Sequence, residues 1–190
     1  MIGFLRHFWQ SEEGSATLEF VLWFPLFWAL FMWSVEQGVY LVRQVGLDRA
    51  VDLAVRDVRL GAFDDLIGPN LSLAQQTALL HDAVKDRVCD LAFLIPRCQD
   101  DVKLEMQQVD PRNWSMLRAA VDCVDRSDSS RPVSQFTPGQ SNDLVVLRAC
   151  ALFDPFFPTT GLGARLTKVS GGAYALVAVS SFAVEPVRRD

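Results

Sequence analysis

The stretch "EEGSATLEFVLWFPLFWALFMW", Glu12 to Trp33, opens like a membrane span but places Glu19 where lipid should begin. Phe20 to Val35 is free of charge, and 16 residues make about 24 Å of helix. A hydrocarbon core of about 30 Å asks for about 20 apolar residues. The run is therefore short unless Ser15 to Leu18 also enter the bilayer and take Glu19 with them. A carboxylate deep in lipid costs about 2.5–3.5 kcal/mol, and residues of this kind ordinarily have a partner or a function.

Three readings compete. A cleaved secretory signal suits the position, but Glu12 and Glu13 stand where a positive flank is expected and no A-x-A-like site follows Trp33. A plain signal anchor would hold Glu19 at the cytoplasmic interface, where edge charges are tolerated. The third takes Gly14, Ser15-Ala16-Thr17-Leu18 and Glu19 as one motif ahead of an apolar helix. That order resembles the type IV prepilin cleavage signature, in which a membrane aspartyl peptidase cuts after the glycine and leaves the glutamate as fifth residue of the mature chain. Cleavage would give Ser15 a cationic amine. Glu19 of one helix could then pair with the amine of its neighbour, and low dielectric strengthens such an attraction. The sequence departs from the major pilins in carrying Ser15 where Phe or Met is usual. Arg6 is the only Lys or Arg in its leader.

Outward from this run, Glu36 and Gln37 mark emergence into water. The segment from Leu41 to Phe63 then repeats Leu47, Val51, Ala54, Val55 and Val58 at helical spacing, with Asp48, Arg49, Asp52, Arg56, Asp57 and Arg59 on its other faces. Asp52 and Arg56 have the spacing of an i,i+4 ion pair. One helix from about Ser15 to Leu60 would measure about 69 Å, with Pro25 kinking its membrane half and Gly61 ending it. "LIGPN" (Leu66 to Asn70) is a turn. Asn70 or Ser72 caps a second helix ending near Leu94, with Leu73, Leu79, Leu80, Val84, Val88 and Leu91 as its apolar face and His81 at its surface.

After Cys98 the period changes. "VKLEMQQV" (Val102 to Val109) begins with the alternation of a half-buried strand, Asp143 to Phe153 reads as a buried strand, and Ala173 to Val187 is a third β-rich run. Between them lie a helix or irregular turn (Pro111 to Arg126), a Ser- and Pro-rich loop (Ser127 to Asp143) and a connector (Asp154 to Gly172) with Pro155, Pro158, Gly161 and Gly163. The expected fold class is α+β: a long N-terminal helix, half in lipid and half in water, a second helix, and a small antiparallel sheet.

The four cysteines, Cys89, Cys98, Cys123 and Cys150, all follow the apolar run. They lack the close pairs of a zinc site, and two disulfides are favoured over reduced core thiols. Of the three possible pairings, Cys89–Cys98 with Cys123–Cys150 is preferred, because the first closes a short loop around Pro96. A net charge of −5 and the absence of a basic cluster argue against nucleic acid. No G-x-S-x-G, H-E-x-x-H or Walker pattern occurs. Asp64-Asp65 and Asp100-Asp101 read as solvated surface acids, so neither enzyme activity, metal nor cofactor is expected.

Taken together, the layout resembles the TadE-like proteins of tight-adherence (Tad/Flp) pilus systems. The likeness rests on "EEGSATLEFVLWFPLFWALFM" and on a final strand, "YALVAVSSFAVEPV", that ends in Glu185-Pro186. The resemblance implies a pseudopilin or minor pilin. Its parts would be a leader over residues 1–14, a transmembrane helix over 15–40 and a periplasmic α+β domain over 41–190. A prepilin peptidase would process it between Gly14 and Ser15, and Glu19 would serve subunit assembly. Its partners would be the inner membrane, the peptidase, other pilins or pseudopilins and the pilus assembly machinery. The N-terminus would be cytoplasmic and the domain periplasmic. The alternative is an uncleaved single-pass anchor carrying a periplasmic interaction domain unrelated to pili.

Overall fold

The computed structural model describes residues 15–67, 70–112, 120–128, 135–159 and 161–185. Helix α1, Ser15–Arg59, runs unbroken for 45 residues through Pro25, Gly38 and Gly46, about 68 Å at 1.5 Å per residue. Its distal half buries Leu47, Ala50, Val51, Ala54 and Val55. These recur every three to four residues, so one stripe faces the core. The expected Asp52–Arg56 pair does not form. Asp57 instead takes Arg87 of the next helix at 2.6 Å.

After a 3₁₀ turn at Asp64–Leu66, α2 (Leu73–Leu91) starts with a capping box. Ser72 accepts from the backbone of Gln75, and the Gln75 side chain accepts from the backbone of Ser72. Leu80, Val84 and Val88 are buried, and Leu91 packs half-buried against the same core. Leu73 and Leu79, expected on that face, are exposed. The buried row is therefore narrower than the apolar pattern, one residue per turn from Leu80 to Val88. Ile95 and Cys98 lead into a short α3 (Cys98–Asp101).

The sheet is an antiparallel meander of β1 (Val102–Val109), β2 (Leu144–Phe153) and β3 (Tyr174–Ala183). Val102 pairs with Ala151 and Val109 with Leu144. Leu144 in turn pairs with Ala183, and Phe153 with Tyr174. The long α1 lies against β3 and α2. Residues 135–137 bridge the outer edge of β1 at one point: Met106 N–H donates to the Gln135 carbonyl at 3.0 Å, and Thr137 N–H to the Met106 carbonyl at 2.9 Å.

Strand β1 is not half-buried, as its alternation predicts; both its faces are covered. Lys103, Glu105 and Gln107 are buried on the face away from the helices. Glu105 lies directly opposite Arg148 in the register and accepts from it at 2.7 Å, and Gln107 also donates to Glu105. Lys103 reaches Asp122 at 2.8 Å. The cover on this side includes residues 120–126, tied down by a disulfide from Cys123 to Cys150. Alternating polarity signals one wet face only when nothing else packs there.

The second disulfide joins Cys89 to Cys98, and no cysteine is free. The bridges enclose different lengths of chain, with separations of 27 and 9 residues. Loop-closure entropy then predicts losses of about 3.5 kcal/mol for Cys123→Ala with Cys150→Ala and about 2.6 kcal/mol for Cys89→Ala with Cys98→Ala. Denaturant unfolding of the oxidised full chain in detergent checks this. A larger loss for the shorter loop would contradict it.

Asp101 corrects the reading of Asp100-Asp101 as solvated acids. It is buried and accepts from Arg126 at 2.9 Å, with Arg97 at 3.1 Å. Arg126 also reaches Asp154 at 2.7 Å. The hydrogen bond to Asp101 raises the Arg126 pKa further, against the opposing effect of burial. Asp64 and Asp65 are exposed. His81 is less superficial than expected: its side chain is 14% exposed, sits 3.0 Å from Asp82 and meets the edge of Phe136 at 4.9 Å. Residues 113–119 and 129–134, which cover parts of the expected turn and Ser-rich loop, lie outside the described residues.

Candidate assembly helix and its docking collar

The functional candidate is the proximal half of α1. Ser15 opens the helix, and Glu19, just over one turn later, is exposed. Gly14 lies outside the described residues. From Phe20 onward large apolar side chains point away from the protein's own core: Phe20, Trp23, Phe24, Phe27, Trp28, Phe31 and Val35 are all exposed. The rings of Phe20, Phe24, Trp28 and Phe31 stack in sequence, with centroids 4.9, 5.8 and 5.8 Å apart. The helix is long and apolar enough to cross a membrane. Such a face has lipid or other helices as its natural partners.

This face does not stop where the sequence places emergence. Phe24, Phe31, Gly38 and Val45 recur every seven residues on one side, Gly38 has open space where a Cβ would stand, and Leu41, Val42 and Val45 are exposed. Phe20 to Val45 makes about 39 Å of outward apolar surface. The expected span boundary at residue 40 falls inside it.

Glu36 does not interrupt this face. The sequence reading puts Glu36 in water, yet it is only 4% exposed. It lies on the side of α1 shared with Tyr40, Arg43 and Leu47, at three- and four-residue steps. The Phe157 and Gly163 backbone N–H groups each donate to its carboxylate at 3.3 Å. Both belong to the connector after β2. Gly163 lies in a five-residue helix, α4 (Gly161–Arg165). A Cβ at Gly163 would stand 2.8 Å from Glu36 Oε1 and 2.9 Å from Pro155 Cβ, and would press on the Phe157 carbonyl. Only glycine allows this approach.

Two turns beyond, Arg43 donates to the Tyr174 hydroxyl at 3.1 Å and lies 4.7 and 5.4 Å from the ring centres of Phe153 and Phe156. Burial raises the Tyr174 pKa, with Arg43 opposing. The connector is thus a collar gripping α1 by a charged hydrogen-bond cradle and a cation–π contact. Gly163→Ala is expected to loosen it by about 1–3 kcal/mol. Hydrogen exchange at the Phe157 and Gly163 amides should then speed up at least tenfold, with the β2–β3 amides unchanged. Unaltered exchange at both amides would remove the collar from the argument.

Sequence reasoning missed Glu36, Gly163 and Arg43. The signal for Glu36 was its helical phase, since it shares a face with the core residues rather than with Asp48 and Arg49. Nothing local pointed to Gly163. Among the described residues no group of three or more His, Cys, Asp or Glu side chains is arranged to hold a metal ion.

The segment containing Glu19, Glu36 and the first core turns carries a family signature. Residues 14–56 match the TadE-like protein family. The match covers less than a quarter of the 190 residues, and it begins at Gly14 and ends within α1. No curated protein and no solved structure matches the chain. The TadE-like family suggests a role in assembly of tight-adherence pili, and the matched segment includes the apolar helix.

Proposed function

We propose that this chain is a pseudopilin or minor pilin that helps assemble a tight-adherence pilus. A prepilin peptidase removes residues 1–14 by cutting between Gly14 and Ser15. The single observation that carries the reading is an exposed Glu19 at the head of an exposed, uncharged helix face, inside the TadE-like match. An apolar face seeks lipid or other helices, and a carboxylate at its margin favours the neighbour that neutralises it. The new amine at Ser15 of an adjacent subunit is such a neighbour. The chain acts by packing and registration, without catalysis. It sits in the inner membrane with residues 1–14 cytoplasmic and the α+β domain in the periplasm, where two disulfides are stable. Its partners are the peptidase, other pilins or pseudopilins and the assembly machinery.

Intact mass and N-terminal sequencing of the membrane-extracted protein test the proposal, with and without the native prepilin peptidase. The expected product begins at Ser15 and depends on the peptidase. A chain still beginning at Met1, under conditions where the peptidase processes its other substrates, would overturn processing and leave an uncleaved anchor with a periplasmic interaction domain.

A further inference from the structure

We propose that the collar, residues 155–159 and 161–168, is a lipid-binding element seated at the boundary between the acyl chains and the headgroups of the outer leaflet. The inference rests on the reading of α1 as a membrane span.

A hydrocarbon core of about 30 Å beginning after Glu19 takes about 20 residues of helix, Phe20 to Val39. Trp33 and Glu36 then lie at the depth of the outer leaflet. A bare carboxylate there would be penalised, but Glu36 is turned away from lipid into the amides of Phe157 and Gly163. The residues that cover it share its depth. The Trp33 ring is 4.0 Å from the place a Cβ at Gly161 would occupy, so α4 touches the span itself.

The collar presents the chemistry of an interface. Phe156 is 60% exposed and meets Arg43, and Trp33 is exposed on the span near Gly161. Arg165 and Lys168 are exposed, and Lys168 donates to the Pro158 carbonyl at 2.9 Å. The nearby acid, Asp154, is already engaged by Arg126 and Arg97. An aromatic wedge rimmed by cations suits the acyl boundary below and lipid phosphates above. The occupant is the bilayer because α4 lies against Trp33 of the span and the collar covers Glu36 at the depth where the span leaves the acyl chains, and the exposed Arg165 and Lys168 suit an anionic headgroup.

The test uses the full chain in nanodiscs of phosphatidylglycerol or phosphatidylcholine. Photoreactive p-benzoylphenylalanine is placed in turn at Trp28 in the span, at Phe156 in the collar, and at Leu73 at the distal end of α2. The expected result is lipid adducts from positions 28 and 156 and none from 73. The phosphatidylglycerol adduct at 156 should fall at least threefold with Arg165→Gln and Lys168→Gln combined, while the adduct at 28 is unchanged. Adducts at 28 but none at 156 would overturn the proposal and leave the span intact. Coupling of 156 to a second copy of the chain would overturn it in favour of a protein contact. Equal yields on both lipids, insensitive to the double substitution, would overturn the headgroup part. Failure at 28 would remove the span and the collar's lipid contact together.

Discussion

Arg148→Met is expected to lower the stability of the domain by about 3–5 kcal/mol, the loss typical when one member of a buried ion pair is removed. Glu105 and Arg148 face each other across the β1–β2 ladder, with side chains 2% and 7% exposed. Truncating the arginine strands the Glu105 carboxylate under the Cys123–Cys150 cover, where the neutral Gln107 amide still donates to it. Denaturant unfolding of the full chain in detergent measures the change. Glu105→Met combined with Arg148→Met should recover a large part of the loss, because well-packed apolar groups often replace a buried pair at little cost. A single substitution without effect would mean that water reaches this face of the sheet.

The second large effect is functional. Glu19→Ala is expected to leave membrane extraction and both disulfides unchanged while lowering incorporation into pilus assemblies at least tenfold. The carboxylate makes no contact that the fold needs: it is exposed at the head of α1, remote from the core that begins at Leu47. Its effect would be felt only where a neighbouring subunit presents a cation at the apolar margin. A tenfold drop corresponds to about 1.4 kcal/mol, a modest demand on one ion pair in a medium of low dielectric. Quantifying the chain in sheared pili, or in complexes captured through another subunit, reads the result. Unchanged incorporation would sink the pairing role. Altered disulfides would show that the substitution had disturbed the fold instead.

What the sequence by itself determined is what local periodicity and local caps record. The 3.6-residue recurrence of Leu47, Val51, Ala54 and Val55 made the distal half of α1 legible. Asn70 or Ser72 marked the start of α2, of which the structure uses Ser72, and alternation or β-rich runs placed all three strands within a few residues of their ends. Gly14 and Glu19, at the mouth of the apolar run, pointed to the segment that the TadE-like family matches. The tertiary structure alone decided what covers each face. It hid Glu36 beneath the Phe157 and Gly163 amides, buried Asp101 between two arginines, sealed the polar side of β1 and left Leu73 and Leu79 in solvent. The physical reason is the same in each case. A residue's own pattern states which way its side chain turns, whereas its burial depends largely on groups brought beside it from about 20 to more than 100 positions away. Those distant partners meet much of the cost of taking a charge out of water.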